Sequence, residues 1–219
     1  MAPPAETNSL EVRWFDAGPP PTSLTDWVTG LGDVTTATRT DLYLSPPAPA
    51  VNVKLRGGDA HALEIKQRLA ALGSHAFGPA VTGRLEQWYK WRFSLSEAPA
   101  LWDADRSGLW HPVEKTRLLV RLDDDHPVLA ERLSEAGVTA HAEVTAVEAG
   151  DTSAWTCGLE ATGPPTQLVP SLRAVGDALF DEAFPLSLDA SQSVGYSAWL
   201  GAALADDDAD PSVLTSADR

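Results

Sequence analysis

Cysteine and long apolar runs are scarce in this sequence, and each scarcity excludes a class of protein. Cys157 is the only cysteine, so the chain has no internal disulfide and no cysteine-rich zinc site. No apolar run approaches the roughly 18 residues that a membrane-spanning helix needs. The first residues lack the basic and apolar segments of a secretory signal, so we expect a cytoplasmic protein with no membrane partner.

Basic residues are also few. Sixteen lysines and arginines stand against 31 acidic residues, and the formal net charge is −15. Nucleic acids and anionic membrane surfaces bind exposed basic surfaces, so this balance argues against both as partners. Apolar residues make up 43% of the 219 residues, and eight residues are tryptophan. This composition predicts a globular protein with an ample core.

The few cations follow a pattern, because each of the four lysines is followed two residues later by an arginine. These four basic doublets are Lys54 and Arg56, Lys66 and Arg68, Lys90 and Arg92, and Lys115 and Arg117. Each lies in a strand-like segment, where residues i and i+2 point to the same face of a sheet. Strand parity also places several glutamates on that face and apolar residues on the other. The pattern predicts a cationic face that holds an anion.

The segmentation predicts an α+β fold. We expect strands at 10–15, 39–44, 51–56, 63–68, 84–93 and 112–122, followed by a hairpin over 139–150 and 153–163. Segment 63–68 is ambiguous, because apolar residues at helical spacing also allow a helix there. Helices are expected at 23–32 with Ser23 as the N-cap, and at 124–137, 168–184 and 193–204. Residues 1–8 and 205–219 are expected to be tails around one domain over 9–204.

The apolar face needs a cover, and the helices can provide it. The charged face must then line a groove or the interior of an antiparallel β-barrel. Such an interior has to be wet, internally paired or filled by a ligand, because burying an unpaired ion costs several kcal/mol. Arginine and lysine from several strands suit a phosphate chain. Carboxylates on the same face suit Mg²⁺ or Mn²⁺.

The order of these segments resembles the CYTH domain, the fold of the triphosphate tunnel metalloenzymes, which include class IV adenylate cyclases and thiamine triphosphatases. The matching segments, in the family's order, are SLEVR (9–13), DLY (41–43), VKLR (53–56), LEIK (63–66), EKTR (114–117) and GLE (158–160). The helix SVGYSAWL is similar to the family's closing helix. The resemblance covers roughly residues 9–204 and implies a barrel with a charged tunnel, covered outside by helices.

The resemblance also implies a site and a function. The phosphate-binding residues would be Arg13, Lys54, Arg56, Lys66, Lys90, Lys115 and Arg117. The ligands of Mg²⁺ or Mn²⁺ would be Glu11, Glu86, Glu143 and Glu160, and the catalytic residues would be Glu11, Glu160 and Lys66. The implied activity is metal-dependent hydrolysis of a small phosphorylated ligand, namely inorganic triphosphate, polyphosphate, or a nucleoside or thiamine triphosphate.

Two positions depart from the family's pattern. Ser9 stands where the first glutamate of ExExK is expected, and Gly158 stands where the late ExE motif begins. The anion-binding cations are therefore better preserved than the metal-binding acids. This favours an alternative function, a degenerate CYTH module that binds a phosphorylated ligand without turnover. A third possibility is a lipocalin-like carrier or a structural barrel whose charges pair among themselves.

Overall fold

A computed structural model describes residues 3–45, 47–58, 61–95, 109–122 and 129–207, which form eight strands and four helices. The strands are β1 (Ala5–Ala17), β2 (Val34–Leu44), β3 (Val51–Arg56), β4 (Ala62–Phe77), β5 (Val81–Ser94), β6 (Trp110–Arg121), β7 (Thr139–Ala149) and β8 (Thr152–Thr162). The helices are α1 (Thr22–Thr29), α2 (Ala130–Ala136), α3 (Pro165–Leu179) and α4 (Tyr196–Asp207). None of these helices has the length and apolar character needed to cross a bilayer.

The eight strands close into one antiparallel barrel in the order β1-β5-β4-β3-β2-β6-β7-β8. The predicted hairpin becomes β7 and β8, and β8 pairs in turn with β1 to complete the circle. Because neighbouring strands keep the same alternation, the face that carries the basic doublets points inward. The predicted fold class, an α+β protein with an antiparallel barrel and a charged interior, is confirmed.

Segment 63–68 is the start of a long strand, so the helical alternative for it is wrong. β4 pairs with β5 from Ala62 opposite Ser94 to Phe77 opposite Val81, with register shifts along the way. The apolar residues that suggested a helix face include Leu69 and Leu72, which are half exposed rather than part of a core. Long-range strand pairing therefore overrides the local helical pattern.

Element ends differ from the predictions in several places. β1 begins at Ala5, which pairs with Arg92, so residues 5–8 belong to the barrel and not to a tail. α1 begins at Thr22 after Pro21, which removes Ser23 from the predicted N-cap position. α3 starts earlier than predicted, with Pro165 in its first turn, and ends at Leu179. The predicted helix at 124–137 and the acidic tail fall partly outside the described residues, at 123–128 and 208–219.

Helices α1, α2 and α3 cover the outer, apolar face of the barrel. Trp14 of β1 lies at the centre of this layer, with its ring edge-on to Phe77 at 6.3 Å and to Phe180 at 5.4 Å. A Cβ atom at Gly83 would come within 2.4 Å of the side chains of Trp14 and Val12, so the glycine allows β5 to pass beneath the tryptophan. The outer face is thus a packed core, which leaves the polar face inside the barrel.

Helix α4 closes one end of the barrel from within, and we call it the plug helix. Its apolar side chains pack on inward-facing strand residues in a cluster of Tyr43, Val113, Val147, Ala149 and Leu200, joined by Tyr196, Trp199 and Leu204. Phe15 of β1 stacks on Trp199 with ring centroids 4.8 Å apart. The charged part of the interior therefore begins beyond this apolar plug.

The seam between β2 and β3 is short. Leu42 pairs with Leu55 and Tyr43 pairs with Lys54. By contrast, β2 pairs with β6 along its whole length, from Val34 to Leu44. Side chains add to the short seam, since the Asp41 carboxylate on β2 accepts a hydrogen bond from the backbone N–H of Gly57 at 3.3 Å.

Candidate functional site

The barrel encloses a cavity of about 170 Å³, which we call the lumen. Its lining consists of Glu11, Arg13, Arg39, Tyr43, Asn52, Lys54, Arg56, Glu64, Lys66, Trp88, Lys90, Lys115, Arg117, His141, Glu143, Thr145, Glu160, Gly195, Tyr196 and Ser197. All seven residues predicted to bind phosphate are among them. The other two members of the basic doublets pair with carboxylates, Arg68 with Glu86 and Arg92 with Glu64.

The lumen carries a surplus of positive charge. Eight of the lining residues are lysine or arginine, and four are glutamate. Asp41, which is fully buried beside the lining residues, adds one more carboxylate, so the formal charge of this set of side chains is +3. The whole chain, by contrast, has a net charge of −15. The protein is therefore strongly acidic overall and cationic at its centre.

Asp41 is the centre of the first charge cluster. Its Oδ1 accepts from Arg39 Nε at 3.0 Å, and its Oδ2 lies 3.2 Å from Lys115 Nζ and 3.6 Å from Lys54 Nζ. Burial alone would raise the pKa of this carboxyl, but the three cations hold the pKa well below its usual range. Burial and the charge of Lys54 lower the pKa of Lys115. Three cations thus share one carboxylate.

Glu64 of β4 forms a second cluster with cations from two neighbouring strands. Its Oε2 lies 3.2 Å from Lys54 Nζ, and its Oε1 accepts from Arg56 and Arg92. Burial would raise the pKa of Glu64, yet the surrounding cations lower it to about 2. Lys54 therefore contacts both Asp41 and Glu64. Each of these carboxylates also contacts other cations.

Arg13 is held in a third cluster on the opposite side of the lumen. Its Nη1 pairs with Glu143 at 2.6 Å and donates to Thr156 Oγ1 at 3.2 Å, and its Cζ lies 4.9 Å from the centroid of the Tyr196 ring. A Cβ atom at Gly158 would lie only 3.1 Å from that Cζ. Gly158, where the resemblance implies a missing glutamate, is thus the position that leaves room for Arg13.

Glu11 and Glu160 face each other directly across β1 and β8. Ser9 Oγ and Lys66 Nζ both donate to Glu11 Oε1, and the imidazole of His141 lies 3.8 Å from Glu160. Burial and then the negative charge of Glu160 raise the pKa of Glu11. The predicted catalytic residues Glu11, Glu160 and Lys66 therefore lie together in the lumen. Ser9 acts as a hydrogen-bond donor to Glu11.

The four glutamates predicted to bind a metal do not come together as one ligand set. Glu86 pairs with Arg68, Glu143 pairs with Arg13, and Glu11 and Glu160 form a separate pair with Lys66 beside them. In the described part of the chain, no group of three or more His, Cys, Asp or Glu side chains is placed to hold a metal ion. As arranged, this donor set does not fit a two-metal centre, because Glu86 and Glu143 are each paired with an arginine and do not join the Glu11–Glu160 pair.

Sequence reasoning missed several lumen residues. Tyr43 accepts a hydrogen bond from Lys115, and the Tyr196 ring centroid lies 4.0 Å from Lys115 Nζ. Thr145 and Ser197 also line the lumen. Strand parity with Glu143 could have identified Thr145, whereas Tyr196 and Ser197 required the position of the plug helix.

Comparison with known proteins gives only distant similarity. No protein-family model matches the sequence, and no curated protein is significantly similar to it. The solved structure of the PH1012 protein from Pyrococcus horikoshii OT3 is similar at 15% identity and a TM-score of 0.49, over 84% of this chain and 93% of that one. The PH1819 protein of the same organism is similar at 14% identity and a TM-score of 0.43, over 78% and 88%. At these values neither structure carries an argument about function.

Proposed function

We propose that the lumen binds a triphosphate-type anion, namely inorganic triphosphate, polyphosphate, or a nucleoside or thiamine triphosphate. The observation that carries this proposal is the surplus of cations over carboxylates among the side chains that line one cavity. Buried charges without partners cost several kcal/mol each, even after relaxation. A multiply charged anion offsets that cost, and a neutral or cationic ligand does not.

The chemistry of the lining supports phosphate as the anion. Guanidinium groups hydrogen-bond phosphate oxygens in pairs, and ammonium groups add localised charge. Lys90 is the clearest candidate, because no carboxylate of the described residues lies within ion-pair distance of its ammonium group. Its charge is therefore available to a ligand without breaking an existing ion pair.

We further propose that the chain is a divergent relative of the CYTH domain. The support is the closed antiparallel barrel together with the inward position of the cations in the matching segments. The segments 53–56, 63–66 and 114–117 each contribute at least one cation to the lumen. The departures at Ser9 and Gly158 are both accommodated by the local structure, which favours binding over a metal-dependent activity.

Hydrolysis of the bound triphosphate is a second candidate function. It is favoured by the Glu11–Glu160 pair, since burial and the charge of Glu160 raise the pKa of Glu11. A cation brought in with the ligand would relieve that repulsion. Lys66 and Arg13 would bind the phosphate oxygens. Release of orthophosphate from tripolyphosphate with Mg²⁺ or Mn²⁺, and its loss in Lys66→Ala, is the corresponding assay.

The binding proposal is tested by titration calorimetry with sodium tripolyphosphate in EDTA and in Mg²⁺. Lys90→Met should weaken binding about tenfold to a hundredfold, because a hydrogen bond to a charged group contributes roughly 1.5–3 kcal/mol. The variant breaks no ion pair, so the fold should be kept, although it removes a charge that helps to lower the pKa of Glu64 and Glu160. The matched control is Arg173→Met, which removes an exposed cation from α3 outside the lumen.

Three outcomes decide between the functions. Binding in EDTA without orthophosphate release supports a binding module. Release that depends on the metal supports the enzyme. If the wild-type protein binds no phosphate compound and its melting temperature does not change with tripolyphosphate, the proposal is wrong and the charges pair only among themselves.

A further inference from the structure

Three buried polar atoms, each on a residue that lines the lumen, have no hydrogen-bond partner. They are Arg117 Nε, Thr145 Oγ1 and Ser197 Oγ. Thr145 is 1% exposed and Ser197 is 2% exposed. Leaving a buried donor or acceptor unsatisfied costs roughly 1–3 kcal/mol, so native proteins rarely place several in one cavity. The coincidence indicates that something other than the protein completes these bonds.

All three residues line the lumen, and two of them are neighbours on adjacent strands. Arg117 and Thr145 are direct cross-strand partners on β6 and β7. Ser197 lies in the first turn of the plug helix, which packs against β7. Beside it, the Tyr196 ring lies between Lys115 and Arg13, at 4.0 and 4.9 Å. The lumen lining therefore includes two of these residues from the barrel wall and one from the first turn of the plug helix.

The chemistry of this place suits an oxyanion. Two hydroxyls and an Nε–H group are hydrogen-bond donors. The backbone N–H groups of Ala198 and Trp199 already donate to the Gly195 carbonyl, so the side chains are the donors at issue. The helix dipole adds a partial positive charge at this end of α4. A tetrahedral phosphoryl group has enough oxygens to accept from several such donors at once. A monatomic anion has no oxygen atoms arranged to accept from several donors, so it would leave some of these hydroxyls without a hydrogen bond.

We propose that Ser197, Thr145 and Arg117 form a subsite for the terminal phosphoryl group of the ligand. The subsite rests on the proposed function, because it orients the same anion. The phosphate chain ends here, since the barrel beyond is filled by the apolar cluster of Tyr43, Val113, Val147, Ala149 and Leu200. The ligand therefore needs an unsubstituted end, and any organic substituent points away from the plug helix.

The test compares binding and stability in variants that remove one hydroxyl each. Ser197→Ala and Thr145→Val should each weaken tripolyphosphate binding about tenfold or more. The melting temperature without ligand should be unchanged or higher, because the lost hydroxyl has no protein partner. A serine that only supports the fold would show the reverse. The control is Ser134→Ala on α2, an exposed helical serine far from the lumen in the fold.

Ligands with blocked ends test the orientation. Adenosine triphosphate has one free terminal phosphoryl group, whereas diadenosine triphosphate has none. We expect the first to bind at least tenfold more tightly, and the Ser197→Ala substitution to reduce that preference. Equal affinities for the two compounds overturn the terminal subsite.

The other outcomes separate this inference from the proposed function. If wild-type protein binds tripolyphosphate and both hydroxyl variants bind it equally well, the subsite is wrong while the binding function stands. If the variants lose stability but keep their affinity, the hydroxyls serve the fold and the subsite is again wrong. If the wild type binds no phosphate compound, the proposed function fails first.

Discussion

Asp41→Asn is the substitution that most directly tests whether the lumen cations depend on shared carboxylates. The native carboxylate is fully buried and contacts three cations and one backbone N–H. Asparagine keeps the shape but loses the charge, and its amide group would direct hydrogen atoms at neighbouring donors. Removing one partner of a buried ionic cluster costs about 3–5 kcal/mol, because the remaining charges stay desolvated.

That loss is large enough to measure by thermal unfolding. A chain of this size loses about 2–4 °C in melting temperature per kcal/mol, so the variant should melt roughly 6–20 °C below the wild type. The loss should diminish at alkaline pH. Burial and Lys54 already lower the pKa of Lys115, and the variant would lower it further, so Lys115 sheds its proton more readily.

The matched control is Asp177→Asn on α3. Its carboxylate lies 3.7 Å from His75 Nε2, but its side chain is 58% exposed. An exposed pair of this kind contributes at most about 1 kcal/mol. Circular dichroism of the three proteins at neutral pH gives the comparison. If Asp41→Asn melts no lower than the control, the cations are solvated by other means and the reasoning about the lumen fails.

Two further predictions concern Glu64 and Gly158. The pKa of Glu64 is lowered from 4.5 to about 2 in the fold, so its contribution to stability is present above pH 4.5 and is lost as the pH falls towards 2. At about 1.4 kcal/mol per unit the loss is about 3 kcal/mol, and Glu64→Gln should flatten the acid limb of the stability profile. Gly158→Ala should cost about 1 kcal/mol, since its Cβ presses on Arg13, and combining it with Arg13→Lys should remove that added cost in urea unfolding. A Gly158→Ala protein as stable as the wild type would show that Arg13 moves aside freely.

Much of the lumen could be predicted from strand alternation alone. Lys54, Lys66 and Lys115 each lie on the polar face of an alternating strand. When the strands form a barrel, one face of every strand points inward and the other points outward. The alternate residues of the same strands are apolar and form the outer face that α1, α2 and α3 cover. Nothing in this step requires knowledge of which strands are neighbours.

The pairing of the charges could not be predicted, because it depends on neighbours that are distant in sequence. Asp41, Lys54 and Lys115 come from β2, β3 and β6, and the pairing of β2 between β3 and β6 brings the three together. Gly158 was interpreted as a lost glutamate, whereas its function in the fold follows from the size of the Arg13 side chain. A sequence pattern does not show that the Arg13 side chain occupies the space that a side chain at position 158 would need.

The position of the plug helix could not be predicted from the sequence either. Residues 193–204 are apolar enough to cover the outside of the barrel or to fill its end. The choice is made by the stacking of Trp199 on Phe15 and by the inward-facing apolar ends of β6 and β7. Tyr196 and Ser197 reach the lumen only as a consequence of that choice.

The short β2–β3 seam couples local separation of these two strands to the binding of an anion in the lumen. Backbone pairing there is limited to Leu42 with Leu55 and Tyr43 with Lys54, and the ion pair between Lys54 and Asp41 spans the same seam. An anion that draws Lys54 away from Asp41 weakens the seam, while one that bridges both strands strengthens it. Local unfolding of this seam and ligand binding are then thermodynamically coupled. The rate of amide hydrogen exchange along the seam therefore depends on whether the lumen is occupied.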